Sequence, residues 1–191
     1  MSESKSAVVR TAERLLQDFC PPRTVEDAEQ GAWPAALWQA LETAGLLRAW
    51  LPEQAGGSGL DVGDVLALLR AAGRASAPVP FAETLLAGWL LHGAGLRVPQ
   101  GPLTVAPVAA EERIALHRTA RGWRLAGVAR RVPWGSAAAH LTVVGRAGRV
   151  DCVALVDASR CRVVAGRNLA GEPRDTVDFS GVALAAAERS E

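Results

Sequence analysis

Eight arginines and no acid lie between residues 113 and 149: Arg113, Arg118, Arg121, Arg124, Arg130, Arg131, Arg146 and Arg149. A guanidinium presents its donors as a planar fork that matches phosphate oxygens, so such a run is suited to attract a phosphate-bearing molecule. A nucleic acid is the weakest of the candidate partners. Only Trp123 and Trp134 are interleaved as stacking surfaces, and no RNA-binding signature accompanies them, so we expect no nucleic acid. Two readings stay open: a site for a phosphorylated cofactor or thioester substrate, and a solvated β surface in an arginine-biased chain, which has one lysine (Lys5) against twenty arginines.

Other reactive residues carry less. Gly56, Gly57 and Gly59 could bring bare backbone N–H groups to an anion. No strand precedes them and no phosphate-loop lysine comes after them, so a tight turn between helices is the expectation. Ser58 and Ser136 lack the strand-to-helix elbow of a nucleophilic serine. His92, His117 and His140 read as packed or surface residues, and the carboxylates offer no evident acid–base pair. Cys20, Cys152 and Cys161 are odd in number and without CxxC spacing, which argues against a disulfide framework or a zinc site.

The chain has 191 residues, 49% hydrophobic and 21% charged, and carries a net charge of +1. That suffices for a real core and excludes disorder. The longest nearly apolar stretch, residues 84–96, is interrupted by three glycines and His92 and is too short to span a bilayer. Residues 1–30 mix acids and bases rather than forming a signal peptide, so a cytoplasmic protein with no membrane contact is expected.

The positioning elements change character near residue 100. Val8, Ala12, Leu15, Leu16 and Phe19 recur on one helix face, which Pro21 and Pro22 terminate. An acidic loop is expected over 24–30. A second helix is expected over 34–44, with Leu37, Trp38, Leu41 and Ala44 on its apolar side and Gly45 beyond its end. Residues 51–60 read as a loop. Asp61 caps a third helix whose buried stripe is predicted as Val62, Val65, Leu66, Leu69, Ala72 and Gly73. A fourth, over 81–93, is apolar nearly all round and is expected at a bundle centre. Beyond residues 98–102, short β-rich runs are predicted at 114–119, 123–128, 141–145, 150–156, 162–165 and 176–184. The fold class is therefore α+β: an N-terminal all-α helical bundle domain (1–100) followed by a small antiparallel β-barrel-like domain (101–191).

Residues 44–91 bring a resemblance. Gly45-Leu46, Pro52-Glu53, Gly56-Gly57-Ser58-Gly59, Gly73-Arg74 and Pro78-Val79-Pro80, in that order and spacing, resemble the N-terminal helical domain of acyl-CoA dehydrogenases. Residues 122–146 and 175–186 look like that family's β-domain hairpin and closing strand. The resemblance implies FAD, an acyl-CoA substrate, an electron-transfer acceptor and a homo- or hetero-oligomer. It also implies chemistry in which a glutamate removes the α-proton of the thioester and the β-hydride passes to the flavin. Val132-Pro133 is similar to members acting on bulky steroid or aromatic thioesters.

The family's flavin-contacting Thr-Glu-Pro-x-x-Gly-Ser-Asp segment falls at residues 105–112, where only Pro107 is retained. Its Trp-Ile-Thr/Ser stretch aligns near Arg131-Val132-Pro133, with Trp134 and Ser136 placed to substitute, and its lysine after Leu-x-Gly is Ala129. The residues this implies for the cofactor are Pro107, Val132, Pro133, Trp134 and Ser136. The family's glutamate base resides in a C-terminal helical bundle for which these residues offer no counterpart. The expectation is an FAD-dependent acyl-CoA dehydrogenase completed by a further domain or chain. The alternative is a non-catalytic structural subunit of a heteromeric dehydrogenase.

Overall fold

The computed structural model describes residues 3–109, 111–120, 122–185 and 189–190. Ala110 of the cofactor-like segment, Arg121 of the arginine run and Ala186 of the closing strand lie outside the described residues. The chain divides into two compact units, Met1–Leu85 and Leu86–Glu191.

The first unit is helical. Helix α1 (Glu3–Phe19) buries Ala12 and Leu16, with Val8, Leu15 and Phe19 packed beside them, as its spacing requires. The expected acidic loop is instead a helix, α2 (Pro22–Glu29), with a proline at its start and no buried residue. It lacks the apolar stripe that would have marked it. Its support is local: proline pre-sets the first turn, and Arg23 pairs with Asp27 one turn on at 3.7 Å. Helix α3 (Ala35–Thr43) buries Leu37, Trp38 and Leu41, whereas Ala44 is exposed. Gly45 takes the left-handed conformation (φ 70°) that lets the chain leave it.

Helix α4 (Val62–Arg74) starts where Asp61 caps it, accepting from the Asp64 backbone N at 3.0 Å. Its buried face is Asp64, Val65, Leu68, Ala71 and Ala72. That corrects the predicted stripe: Val62 and Leu66 are each 59% exposed and Gly73 is exposed too. The helix carries two offset apolar stripes, and periodicity does not say which one meets the core. Helix α5 (Phe81–Gly93) contributes Phe81 and Leu85 to the first core, then Ala87 and Leu91 to a core in the second unit. It is not enclosed all round, because Leu86 and Trp89 are exposed.

The second unit holds strands β1 (Leu103–Ala106), β2 (Ala115–Thr119), β3 (Gly122–Ala126), β4 (Val128–Pro133), β5 (His140–Ala147), β6 (Val150–Asp157), β7 (Arg162–Val164), β8 (Arg174–Asp178), β9 (Ala183–Leu184) and β10 (Arg189–Ser190). One sheet runs β10-β6-β5-β2-β3-β9, with β1 also on β5; the other runs β4-β8-β7. Pairing is mainly antiparallel, with β1 lying parallel to β5. Leu116, Leu125, Val143 and Val156 of the first sheet and Ala129, Val132 and Val177 of the second share one core, which makes the barrel-like layer. The expected single run over 176–184 is two strands, separated where Asp178 turns the chain by accepting from the Ser180 backbone N at 2.8 Å.

Candidate functional site

Strand β4 departs from simple alternation. Its register against β8 slips between Ala129 and Val132, a bulge that inserts one residue. Ala129 and Val132 are both buried, and the two residues between them, Arg130 and Arg131, both face solvent. Arg131 (φ 57°) and Trp134 (φ 55°) adopt the left-handed conformation that side chains other than glycine seldom take. The strand's end is held by Thr104 Oγ1, which donates to the Pro133 carbonyl at 2.5 Å.

The turn after β4 is anchored by a buried carboxylate. Asp175 on β8 is 1% exposed. Its Oδ2 accepts from the Ser136 backbone N at 2.6 Å and its Oδ1 from the Gly166 backbone N at 3.0 Å. One side chain thereby ties that turn to the loop after β7. The loop closes on itself: Arg174 N donates to Gly166 O at 2.9 Å and Asn168 N to Glu172 O at 3.0 Å. Asn168 Oδ1 accepts from the backbone of Ala170 and Glu172 at 2.9 and 3.0 Å. Glycine is required at 166, because a Cβ there would stand 2.4 Å from Arg174 O.

Two open clefts border Val108. The first, about 530 Å³, is lined by Pro107, Glu112, Arg113, Arg146 and Asp151 among others. Its lining holds two arginines and two acids: Arg146 Nε donates to Asp151 Oδ1 at 2.7 Å, and the Glu112 carboxylate accepts from the Arg130 backbone N at 3.0 and 3.1 Å. The second, about 560 Å³, is lined by Val108, Arg131, Pro133, Gly166, Arg167, Asn168 and Arg174. Three of these are cations and none is an acid. Arg131 and Arg174 reach glutamates outside the lining, Glu111 at 3.8 Å and Glu172 at 3.0 Å.

Of the five residues implied for a cofactor, Pro107 lines the first cleft and Pro133 the second. Val132 is wholly buried, so its side chain packs the β core. Trp134 is half-buried and donates its backbone N to Pro173 O at 3.4 Å, and Ser136 has its backbone N committed to Asp175. The arginine run is largely neutralised or tied down. Arg130, Arg131 and Arg146 meet acids, and Arg124 donates to Gly181 O at 2.6 Å. The residues missed from the sequence are Arg167, Arg174 and Asp175; the signal available was the Gly166–Arg174 segment, rich in turn residues and arginine.

The glycine loop makes no anion cradle. The backbone N–H groups of Gly56, Gly57 and Gly59 donate to Glu53 O, Pro52 O and Leu51 O at 2.9, 3.1 and 2.8 Å, so the loop satisfies itself. Among the described residues no group of His, Cys, Asp and Glu is arranged to hold a metal. Burial pushes the Cys161 thiol up to about 11 and raises Cys20 as well. No described helix is long and apolar enough to cross a membrane.

Residues 2–96 match the acyl-CoA dehydrogenase N-terminal domain, and the chain has the helical-plus-β architecture of acyl-CoA dehydrogenases. The Tcur3481-Tcur3483 steroid ACAD G363A variant is similar at 27% identity and TM-score 0.83, over 97% of this chain and 58% of that one. The ChsE4-ChsE5 complex from Mycobacterium tuberculosis is similar at 25% identity and TM-score 0.84, over 100% and 57%. A glutaryl-CoA dehydrogenase from Mycobacterium smegmatis in complex with FADH2 shares the fold at 14% identity and TM-score 0.82, over 99% and 55%. The chain thus spans little more than half the length of these relatives. No curated protein matches it.

Proposed function

We propose that this chain supplies the helical and β walls of a cleft in which an acyl-CoA thioester is α,β-dehydrogenated, with the base provided by a C-terminal helical domain or a partner chain. The observation that carries the reading is the likeness to a steroid ACAD over 97% of the chain at 27% identity. Steroid-like or other bulky acyl groups are the substrate class it favours. Pro107, Val132, Pro133, Trp134 and Ser136 are the residues we propose nearest the cofactor. Pro107 and Pro133 would offer surface, Val132 would set the strand from within the core, and the Trp134–Ser136 turn would be held rigid by Asp175.

The donor set fits FAD only in part. No hydroxyl side chain stands in residues 105–112 to meet a flavin ring, and the Ser136 backbone N is taken. The guanidinium groups of the second cleft, however, suit its diphosphate. Bound FAD would supply the hydride acceptor. The chain's own residues are proposed to position the ligand and shield it from water.

The incomplete flavin donor set favours a second reading, a structural subunit of a heteromeric dehydrogenase whose partner holds the flavin. The similarity of this chain to the ChsE4-ChsE5 complex supports it. Co-expression with neighbouring dehydrogenase subunits, followed by flavin absorbance and acyl-CoA oxidation, tests both readings. One flavin per chain with oxidation supports the first; one flavin per pair of unlike chains supports the second. Colourless, inactive protein in every combination removes both.

A further inference from the structure

We propose that helix α4 pairs antiparallel with α4 of a second copy of this chain, through the apolar stripe that its own core leaves outside. Val62, Leu66, Leu69 and Gly73 recur at intervals of four, three and four residues, so they fall along one line of the helix. The core is met by a different side, made of Asp64, Val65, Leu68, Ala71 and Ala72. Val62 and Leu66 are exposed, and Leu69 is half-buried. Large apolar side chains facing outward in successive turns of one helix mark a contact surface.

Gly73 adds an observation that the single chain does not explain. It lies within the helix, where glycine is less favourable than alanine, and it holds no left-handed conformation that would require it. A Cβ at this position would meet nothing within 4 Å, so no neighbour in the chain forbids a larger residue. A second helix lying across that point would forbid one.

The order of residues selects the antiparallel arrangement. With Leu66 set against the partner's Leu69, Val62 falls against the partner's Gly73, and a two-fold axis repeats both contacts. Large side chains then meet at the centre, and a valine lies over a glycine at each end. The same alignment lays the Asp61 end of one helix beside the end of the other that carries exposed Arg70 and Arg74, with the two helix dipoles opposed. A parallel pair would bring like ends together. A helix of 13 residues is about 20 Å long, and a pair limited to it buries less than a standard interface of about 1,600 Å². The dimer is therefore expected to dissociate on dilution.

The pairing goes beyond the proposed activity and stands or falls independently of it. Sedimentation velocity of the full chain over a range of concentrations tests it, and the unaltered chain should pass from monomer to dimer as concentration rises. Gly73→Leu should raise the dissociation constant by roughly tenfold or more, the scale of an overpacked contact. Dilute Gly73→Leu chain should melt no lower than the unaltered one, because the new side chain meets open space there. Leu66→Gln removes apolar contact twice in a two-fold pair and should weaken the dimer comparably. Arg74→Glu, which sets like charge beside the Asp61 end, should weaken it less. Leu169→Gln, at an exposed apolar residue of the second unit, should leave it unchanged. Loss of the dimer at an unchanged melting temperature supports the proposal. A chain that stays monomeric at every concentration, or a dimer that tolerates both Gly73→Leu and Leu66→Gln, overturns it.

Discussion

The two clefts beside Val108 are nearly equal in volume and both contain arginine, but they differ in what surrounds the charge. In the first, Arg146 sits 2.7 Å from Asp151 across the β5–β6 hairpin, and Glu112 grips the Arg130 backbone. In the second, Arg131, Arg167 and Arg174 line a surface that holds no acid itself, and the glutamates that meet Arg131 and Arg174, Glu111 and Glu172, stand outside it. Charge counted along a chain therefore misleads about charge presented at a surface. The acid-free run of residues 113–149 is compensated by Glu111, Glu112 and Asp151, which lie just outside it, whereas two of the three cations in the basic cleft lie beyond the run.

The largest way to break this contrast is to remove the carboxylate that frames the second cleft. Asp175→Ala removes the buried carboxylate that accepts from the backbone N–H groups of Ser136 and Gly166 and should destabilise the chain by about 3 kcal/mol or more, read by denaturant unfolding. Diphosphate binding should fall with it. In the first cleft, Gly145→Ala places a Cβ 2.5 Å from Leu116 Cδ1 and 2.7 Å from Ile114 O. A cost of roughly 1–3 kcal/mol is expected, with diphosphate binding retained at temperatures below the lowered melting transition.

A smaller effect concerns pH. The Cys161 thiol, pushed up to about 11 by burial, stays protonated in the folded chain while an unfolded thiol has ionised. Between the ordinary thiol value and about 11 the folded state holds the extra proton, so this group's contribution to stability is intact below that window and declines as pH rises through it. Cys161→Ser should flatten the alkaline side of the stability profile, and Cys161 should alkylate slowly at neutral pH. Least of all, Arg146→Gln breaks an exposed pair, and a change of under ~1 kcal/mol in denaturant unfolding is expected.

Much of the helical unit was legible because its signals are local. The Asp61 cap, the Gly45 exit and the periodic face of α1 each arise from a few neighbouring residues. Helix α2 was not legible, since it buries nothing and so shows no stripe. The buried face of α4 was misplaced because Val62 and Leu66 make an equally good stripe on the outside. In the β unit, strand β4 escaped because its bulge destroys the alternation by which strands are recognised. The basic cleft was half visible: Arg131 stood in the run, but Arg167 and Arg174 join it only through β4–β8 pairing, a contact between distant parts of the chain.

The contrast between the clefts is tested most directly by the arginine side-chain NMR resonances of the labelled chain as diphosphate is added. The Nε–H signals of Arg131, Arg167 and Arg174 should shift together and saturate at one ligand, while those of Arg113 and Arg146 stay in place. Shifts centred on Arg113 and Arg146, or spread evenly over all arginines, would contradict a built diphosphate site.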